Sequence, residues 1–244
     1  MARAAQPRPH WSNTLFLGLF GVTSALVLLD IHLIFFYAPV ERTMGIVQKI
    51  FYFHAPSAYS MYLGAGACFL GSVGYLLKPT DARDAFARAG AELAVAYGLI
   101  VLTTGPLWGS KAWGVFWTWD PRLTTTLLAM LIYVAYNVLR MFGGDGPGER
   151  KFAAALGVLG AANIPIIHFS VEKWAGQHPK VIMAKGGGGL HPDMKVVFFL
   201  ALFTFTLLAA CFLWARVRVE LARARLARAE EDAIDLGLDD RTEA

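Results

Sequence analysis

Sixteen residues, Trp108 to Leu123, concentrate the side chains in this chain that could do chemistry. They read W-G-S-K-A-W-G-V-F-W-T-W-D-P-R-L and hold four of the seven tryptophans: Trp108, Trp113, Trp117 and Trp119. Trp113 and Trp117 are four residues apart, and Trp117 and Trp119 two apart. Whether the segment is helical or extended, two indoles share a face. Aromatic faces suit a large, flat, conjugated ligand, each ring pair adding about 0.5–1.5 kcal/mol beyond burial. Asp120, Pro121 and Arg122 close the stretch, and an arginine can grip a carboxylate through two parallel hydrogen bonds. An aromatic belt at a membrane surface is the plain alternative. It accounts for Trp11, Trp174 and Trp214, but four rings in sixteen residues exceed it.

The histidines form a second set. A single histidine in an apolar protein is more often a satisfied polar group than a ligand, but these are unevenly placed. His10 stands near the N-terminus, whereas His32, His54, His168, His178 and His191 fall at span ends or in the loops of one side. Neutral imidazole is a common axial ligand of haem iron. No cysteine or carboxylate cluster with zinc spacing accompanies them. Two histidines on separate loops can reach one iron from opposite faces. His54 is anchored beside Pro56 at an expected helix start, while His178 and His191 flank the glycine run 186–189. Cys68 and Cys211 lie in apolar runs without C-x-x-C or C-x-x-C-H, which disfavours thiol redox chemistry and covalent haem.

Membrane spans must position these groups. Charged residues make up 16% of the 244, against about 25% in a soluble domain. Long apolar runs alternate with short charged patches, and a span needs about 20 apolar residues. The expected fold is all-α, a bundle of six transmembrane helices with the Trp-rich stretch in an outer loop. The spans are expected at about 15–37, 55–77, 89–107, 123–139, 152–169 and 196–214, between a cytoplasmic arm (1–14) and a cytoplasmic tail (215–244). The first run is too long for a cleaved signal peptide and is expected to remain as a span. Pro56 is expected in the first turn of its helix, Gly105-Pro106 at the end of the third span, and Pro165 inside the fifth, kinking it. Gly64, Gly66, Gly71 and Gly74 would let the second span approach a neighbour closely. Asp30 and His32 read as a satisfied polar pair near an interface.

Six spans place both termini on one side. That side carries fourteen Lys and Arg against eight in the other loops, so it is expected to be cytoplasmic. The Trp stretch, His54 and His178 then face outward. There the eight basic residues exceed Glu41, Asp120, Glu172 and Asp193 by four, a field that favours a dianionic ligand such as haem with its two propionates. The basic total reflects membrane topology and does not call for nucleic acid. No internal repeat or soluble second domain is visible.

Two further segments and the six-span layout join the Trp-rich stretch. Trp113-Gly-Val-Phe-Trp117-Thr-Trp119-Asp120-Pro-Arg122 resembles the W-G-x-x-W-x-W-D pattern of haem-handling proteins of cytochrome c maturation. Phe51-Tyr-Phe-His54-Ala-Pro56, Asn163-Ile-Pro165-Ile-Ile-His168-Phe-Ser170-Val-Glu172-Lys-Trp174 and the six-span layout narrow the resemblance to the CcmC (haem exporter protein C) family over roughly residues 31–214. The resemblance implies haem b held non-covalently at the periplasmic face of a bacterial inner membrane. It implies axial ligation by His54 and His178, with Trp113, Gly114, Trp117, Trp119, Asp120 and Arg122 around the ring. It also implies a carrier and not an enzyme, delivering haem to the chaperone CcmE alongside the ATPase CcmA and the membrane subunits CcmB and CcmD. His178 precedes Pro179 where the family commonly has Gln, and the glycine run and His191 depart from the pattern, so His191 is the alternative second ligand. A membrane b-type cytochrome would need histidine pairs within spans. A haem–apocytochrome c synthase of the same superfamily would be expected to carry more spans or a large outer domain.

Overall fold

The computed structural model describes residues 10–144, 146–174, 178 and 189–237. Six helices dominate: α1 (His10–His32), α2 (Phe51–Leu77), α3 (Asp81–Trp113), α4 (Pro121–Phe142), α5 (Pro147–Lys173) and α6 (Pro192–Asp235). All six are long and apolar enough to cross a membrane, and no strand occurs among the described residues. The protein is a polytopic all-α membrane protein.

The second and third helices form the centre. Small residues let their backbones meet. A Cβ on Gly64 would lie 2.6 Å from the Ala94 nitrogen, one on Gly71 2.5 Å from the Ala87 nitrogen, and one on Gly90 2.3 Å from the Cys68 nitrogen. Without a hydrophobic effect between helices in lipid, such contact is a main source of association. Of the four glycines named from the sequence, Gly64 and Gly71 make it. A Cβ on Gly66 would meet nothing, and one on Gly74 would meet only the Arg83 side chain. Tyr133, Tyr136 and Ala153 extend this core into α4 and α5, and Ala209 of α6 closes it beside Met61, Leu93 and Ile167. The peripheral α1 packs on α6, where Thr23 meets Cys211 at 3.7 Å and Phe16 meets Trp214 edge-on. Both cysteines are free and buried.

Several helix ends differ from expectation. A 3-10 turn, Ile46–Ile50, runs directly into α2, so the helix starts at Phe51 and Pro56 lies inside it. Pro106 likewise does not end α3, which continues to Trp113. A proline removes one backbone hydrogen bond, and neighbouring helices make that tolerable in a membrane. The end of α3 comes at Gly114, whose φ of +77° is left-handed and whose N–H donates to the Ser110 carbonyl at 3.1 Å. The last helix continues twenty-one residues past Trp214 to Asp235. Asp30 and His32 do not form a pair. Two residues apart on a helix, they face opposite ways: Asp30 is buried beside Thr204 of α6, and His32 is exposed and stacked on Phe36.

Ion pairs lock the end of the bundle at which α1 begins. Buried Arg140 of α4 donates to Asp84 of α3 at 2.8 Å, and Arg150 of α5 donates to Asp81 at 3.0 Å. Arg88 reaches Glu220 of α6 at 3.0 Å, and Arg216 pairs with Glu92 and Glu220. Four helices are thereby fixed to one another at that end. At the opposite, distal end, Lys49 is buried and donates to the carbonyls of Ile34, Phe35 and Ala38 at 2.6, 3.0 and 3.4 Å. It neutralises the negative end of the first helix, where a cation is favoured. Nearby, backbone N–H groups of Met44 and Thr43 hold the Glu41 carboxyl below its usual range.

The glycine contacts make a testable claim. Gly71→Ala should lower unfolding stability in detergent micelles by about 1–3 kcal/mol through overpacking. Gly66→Ala, facing open space, should stay within about 0.5 kcal/mol of the parent. Equal effects would show that backbone contact between α2 and α3 does not set their association.

Candidate functional site

The distal ends of α2, α3, α4 and α5 converge on a small polar group. His54 lies in the first turn of α2 and is half-buried. Its Nδ1 is 2.9 Å from the Thr104 hydroxyl on α3, and that hydroxyl donates to the Ile100 carbonyl at 2.6 Å. The imidazole also needs Gly105: a Cβ there would stand 3.2 Å from His54 Cε1. The Gly-Pro step that reads as a helix stop is instead the place where α3 makes room for a ring.

The His178 ring centre lies 6.3 Å from that of His54, with 29° between the planes. Arg122, in the first turn of α4, joins His178 to the end of α5. Its Nη1 is 3.2 Å from His178 Nδ1, its Nη2 donates to the His168 carbonyl at 3.0 Å, and its Nε donates to the Ile167 carbonyl at 3.4 Å. The start of α4 is itself fixed. Asp120 is the N-cap, its carboxylate accepting the Arg122 N–H at 2.8 Å, and Pro121 occupies the first helical position. Asn163 of α5 donates to the Thr125 carbonyl at 2.7 Å and holds α5 against this turn.

The tryptophans sort into two edge-to-face pairs. Trp108 and Trp113, on the last turns of α3, have ring centres 5.8 Å apart at 84°. The Trp113 ring lies over Gly109, where a Cβ would come within 2.9 Å of it. Trp108 Nε1 donates to the Gln48 side chain at 3.2 Å, which ties this pair to the turn before α2. Trp117 and Trp119 meet at 5.7 Å and 82° in the irregular segment between α3 and α4. The i,i+2 pairing is thus made, while the i,i+4 pairing of Trp113 with Trp117 is prevented by the turn at Gly114. Trp119 is 76% exposed and Phe116 63%, whereas Trp117 is half-buried with its indole N–H unpartnered.

His54, His178, Asp120 and Arg122 therefore come together, with Trp119 joined to them through the chain. His191 does not join them. It caps α6, its Nδ1 accepting the Asp193 N–H at 3.3 Å, and it is exposed. Lys180, Lys185 and Gly186–Gly188 lie outside the described residues, as does the side chain of Glu172. Thr104, Gly105, Gln48 and the carbonyls of Ile167 and His168 escaped sequence reasoning. Each acts across about 45 to 60 residues of chain, and no local pattern marks them. Among the described residues no cluster of three His, Cys or carboxylate groups could hold a bare metal ion. The site offers two imidazoles with centres 6.3 Å apart and one guanidinium, beside a Trp-rich segment, a set suited to a flat anionic ligand with its own metal.

Residues 2–232 match the family model described as Heme exporter protein C, CcmC. The chain belongs to the CcmC family. It is 34% identical over 190 residues to the Heme exporter protein C of Bradyrhizobium diazoefficiens, covering 78% of this chain and 72% of the relative. The Escherichia coli K12 protein of that name is 32% identical over 185 residues, 75% of this chain and 74% of the relative. A ccmC-like mitochondrial protein of cytochrome c biosynthesis from Marchantia polymorpha is 31% identical over 194 residues, 80% of this chain and 82% of the relative. In this CcmC-family chain, Asp120 caps the start of α4. Asp120→Ala should lower stability in thermal unfolding by about 1 kcal/mol, and Asp120→Asn should restore most of it. A failure of Asn to restore would mean that the charge, and not the cap, is what the position requires.

Proposed function

We propose that this protein binds haem b non-covalently at the periplasmic face of a bacterial inner membrane and hands it to a periplasmic haem chaperone for cytochrome c maturation. Membership of the CcmC family supports the haem-handling role. The observation that carries the site assignment is the separation of the His54 and His178 rings. A metal–imidazole bond is about 2.0 Å long and a ring nitrogen lies about 1.1 Å from its ring centre, so two axial imidazoles on one ion have centres about 6 Å apart. The 6.3 Å separation fits that spacing.

Both imidazoles use Nδ1 for a protein contact, to Thr104 and Arg122, and we take Nε2 of each as the nitrogen for the iron. A ligating histidine normally donates its other ring N–H to an acceptor, which Thr104 offers to His54. The haem itself supplies the four equatorial nitrogens that the protein lacks. Trp113, Gly114, Trp117 and Trp119 border the ring, and the exposed Trp119 leaves one edge reachable by a partner. Arg122 is placed to meet a propionate, as its guanidinium already stands beside His178. Asp120 serves by fixing the turn from which Arg122 projects.

The charge distribution supports cytoplasmic termini and an outward-facing site. Under that orientation the chain comprises an arm before residue 15, a membrane domain to about residue 214 and a cytoplasmic tail. The partners we assign are CcmE as acceptor and CcmA, CcmB and CcmD as companions in the membrane complex. The protein acts as a carrier: it holds and releases its cargo without changing it chemically. A b-type cytochrome would hold haem deep between spans, whereas His54 stands in the first turn of its helix.

Purified protein should show the absorption spectrum of low-spin haem. His54→Ala and His178→Ala should each lose that spectrum, leaving high-spin or absent haem. Retention of a wild-type low-spin spectrum in both variants would overturn the ligand assignment.

A further inference from the structure

The two imidazoles are held in opposite ways. The Thr104 hydroxyl carries one proton. A carbonyl can only accept, so that proton goes to Ile100, 2.6 Å away. Toward His54 the hydroxyl must therefore accept, and the 2.9 Å contact is Nδ1–H donating to Oγ1. With the proton on Nδ1, Nε2 of the neutral ring carries the lone pair. That is the tautomer a metal ligand needs. Gly105 lets the ring sit close against α3 in this position.

His178 is in the reverse state. Its Nδ1 faces Arg122 Nη1 at 3.2 Å, and a guanidinium has only donors. Nδ1 must accept, so the neutral ring carries its proton on Nε2, the nitrogen the iron would use. Before Nε2 can bind a metal, its proton must leave. For that, Nδ1 must part from Arg122 and take up a proton from water, after which Nε2 gives its own proton to water. The ring is neutral before and after the exchange, one proton gained and one lost. Arg122 does not depend on His178 for its place, because it keeps the carbonyls of Ile167 and His168.

We propose that Thr104 is a positioning residue that holds His54 as the standing ligand, and that Arg122 masks His178 until cargo is already bound. This rests on the haem reading above and adds an order to it. Haem first binds His54 and is five-coordinate. His178 then parts from Arg122, which stays on its carbonyls, and would ligate second. Release runs in reverse, since Arg122 can reclaim His178 Nδ1 and draw that ligand away first. A carrier so arranged holds its cargo by one firm bond and one that the protein itself can undo.

Two measurements test this. The first is 15N NMR of haem-free, histidine-labelled protein in nanodiscs, with His54→Ala and His178→Ala for assignment. It should show His54 protonated at Nδ1 and His178 at Nε2. Thr104→Val should convert His54 to a tautomer mixture, and Thr104→Ser should restore it. The second is rapid mixing with hemin. Wild type should pass through a high-spin species before becoming low-spin, and His178→Ala should stop at the high-spin species. Thr104→Val should bind hemin about tenfold or more weakly, the usual effect of losing a group behind a metal ligand, with Thr104→Ser near wild type. Unchanged tautomers together with hemin affinity within twofold in Thr104→Val would overturn the role of Thr104. Stalling at high spin in His54→Ala while His178→Ala becomes low-spin would overturn the order. If no form binds hemin, the haem reading falls and the ligation order with it, while the NMR pattern still decides the tautomers.

Discussion

Close contact between α2 and α3 is the constraint on which the rest of the structure depends. Gly64 meets Ala94, and Gly71 meets Ala87, with backbone against backbone. Side chains there would allow the helices to slide; bare backbone does not, since a shift of one residue puts a methyl group into the partner. The antiparallel register set at these contacts is carried outward unchanged. Ten residues before Gly64 is His54, and ten after Ala94 is Thr104, and those two are hydrogen-bonded. The geometry of the imidazole is therefore decided some 15 Å away, by glycines in the middle of the membrane.

Much of the architecture was legible in the residues, because lipid makes simple demands. Six apolar runs of sufficient length announce six helices, and these are present. Their ends were less legible. Pro56 and Pro106 read as boundaries, yet both lie inside helices. The missing hydrogen bond at each is a local loss, while continuing the helix is favoured by packing that local sequence does not reveal. The Trp-rich stretch was visible as composition, but its division into two pairs depends on one backbone angle at Gly114. His54 and His178 were named through family resemblance. Thr104 could not be found that way or by pattern. It is an unremarkable hydroxyl on an apolar helix, and its meaning comes only from facing a ring fifty residues earlier in the chain.

Charge is used differently at the two ends. Near the termini, Arg140, Arg150, Arg88 and Arg216 each meet carboxylates, and four helices are pinned together. Distally, Lys49 is consumed in holding the end of α1, so the excess of basic residues there overstates the field a ligand would meet. Arg122 lies beside the imidazoles, where it bonds to backbone carbonyls and to His178. Two helices join the ends: α3 runs from Asp84 in the ion-pair network to Thr104, and α4 runs from Arg122 to Arg140. The rigidity of one end is thus available to the other.

The packing of α1 on α6 has a consequence for how the chain is made. Synthesis delivers α1 first and α6 last, so the earliest helix to enter the bilayer must wait for the final one before it has a partner. During that interval Thr23 and Asp30, which are buried in the finished bundle, have no α6 to cover them. An uncovered carboxyl in lipid is costly, which places α1 among the late-docking pieces of the fold. Docking of α1 then waits on α6, the last of these six helices to be made.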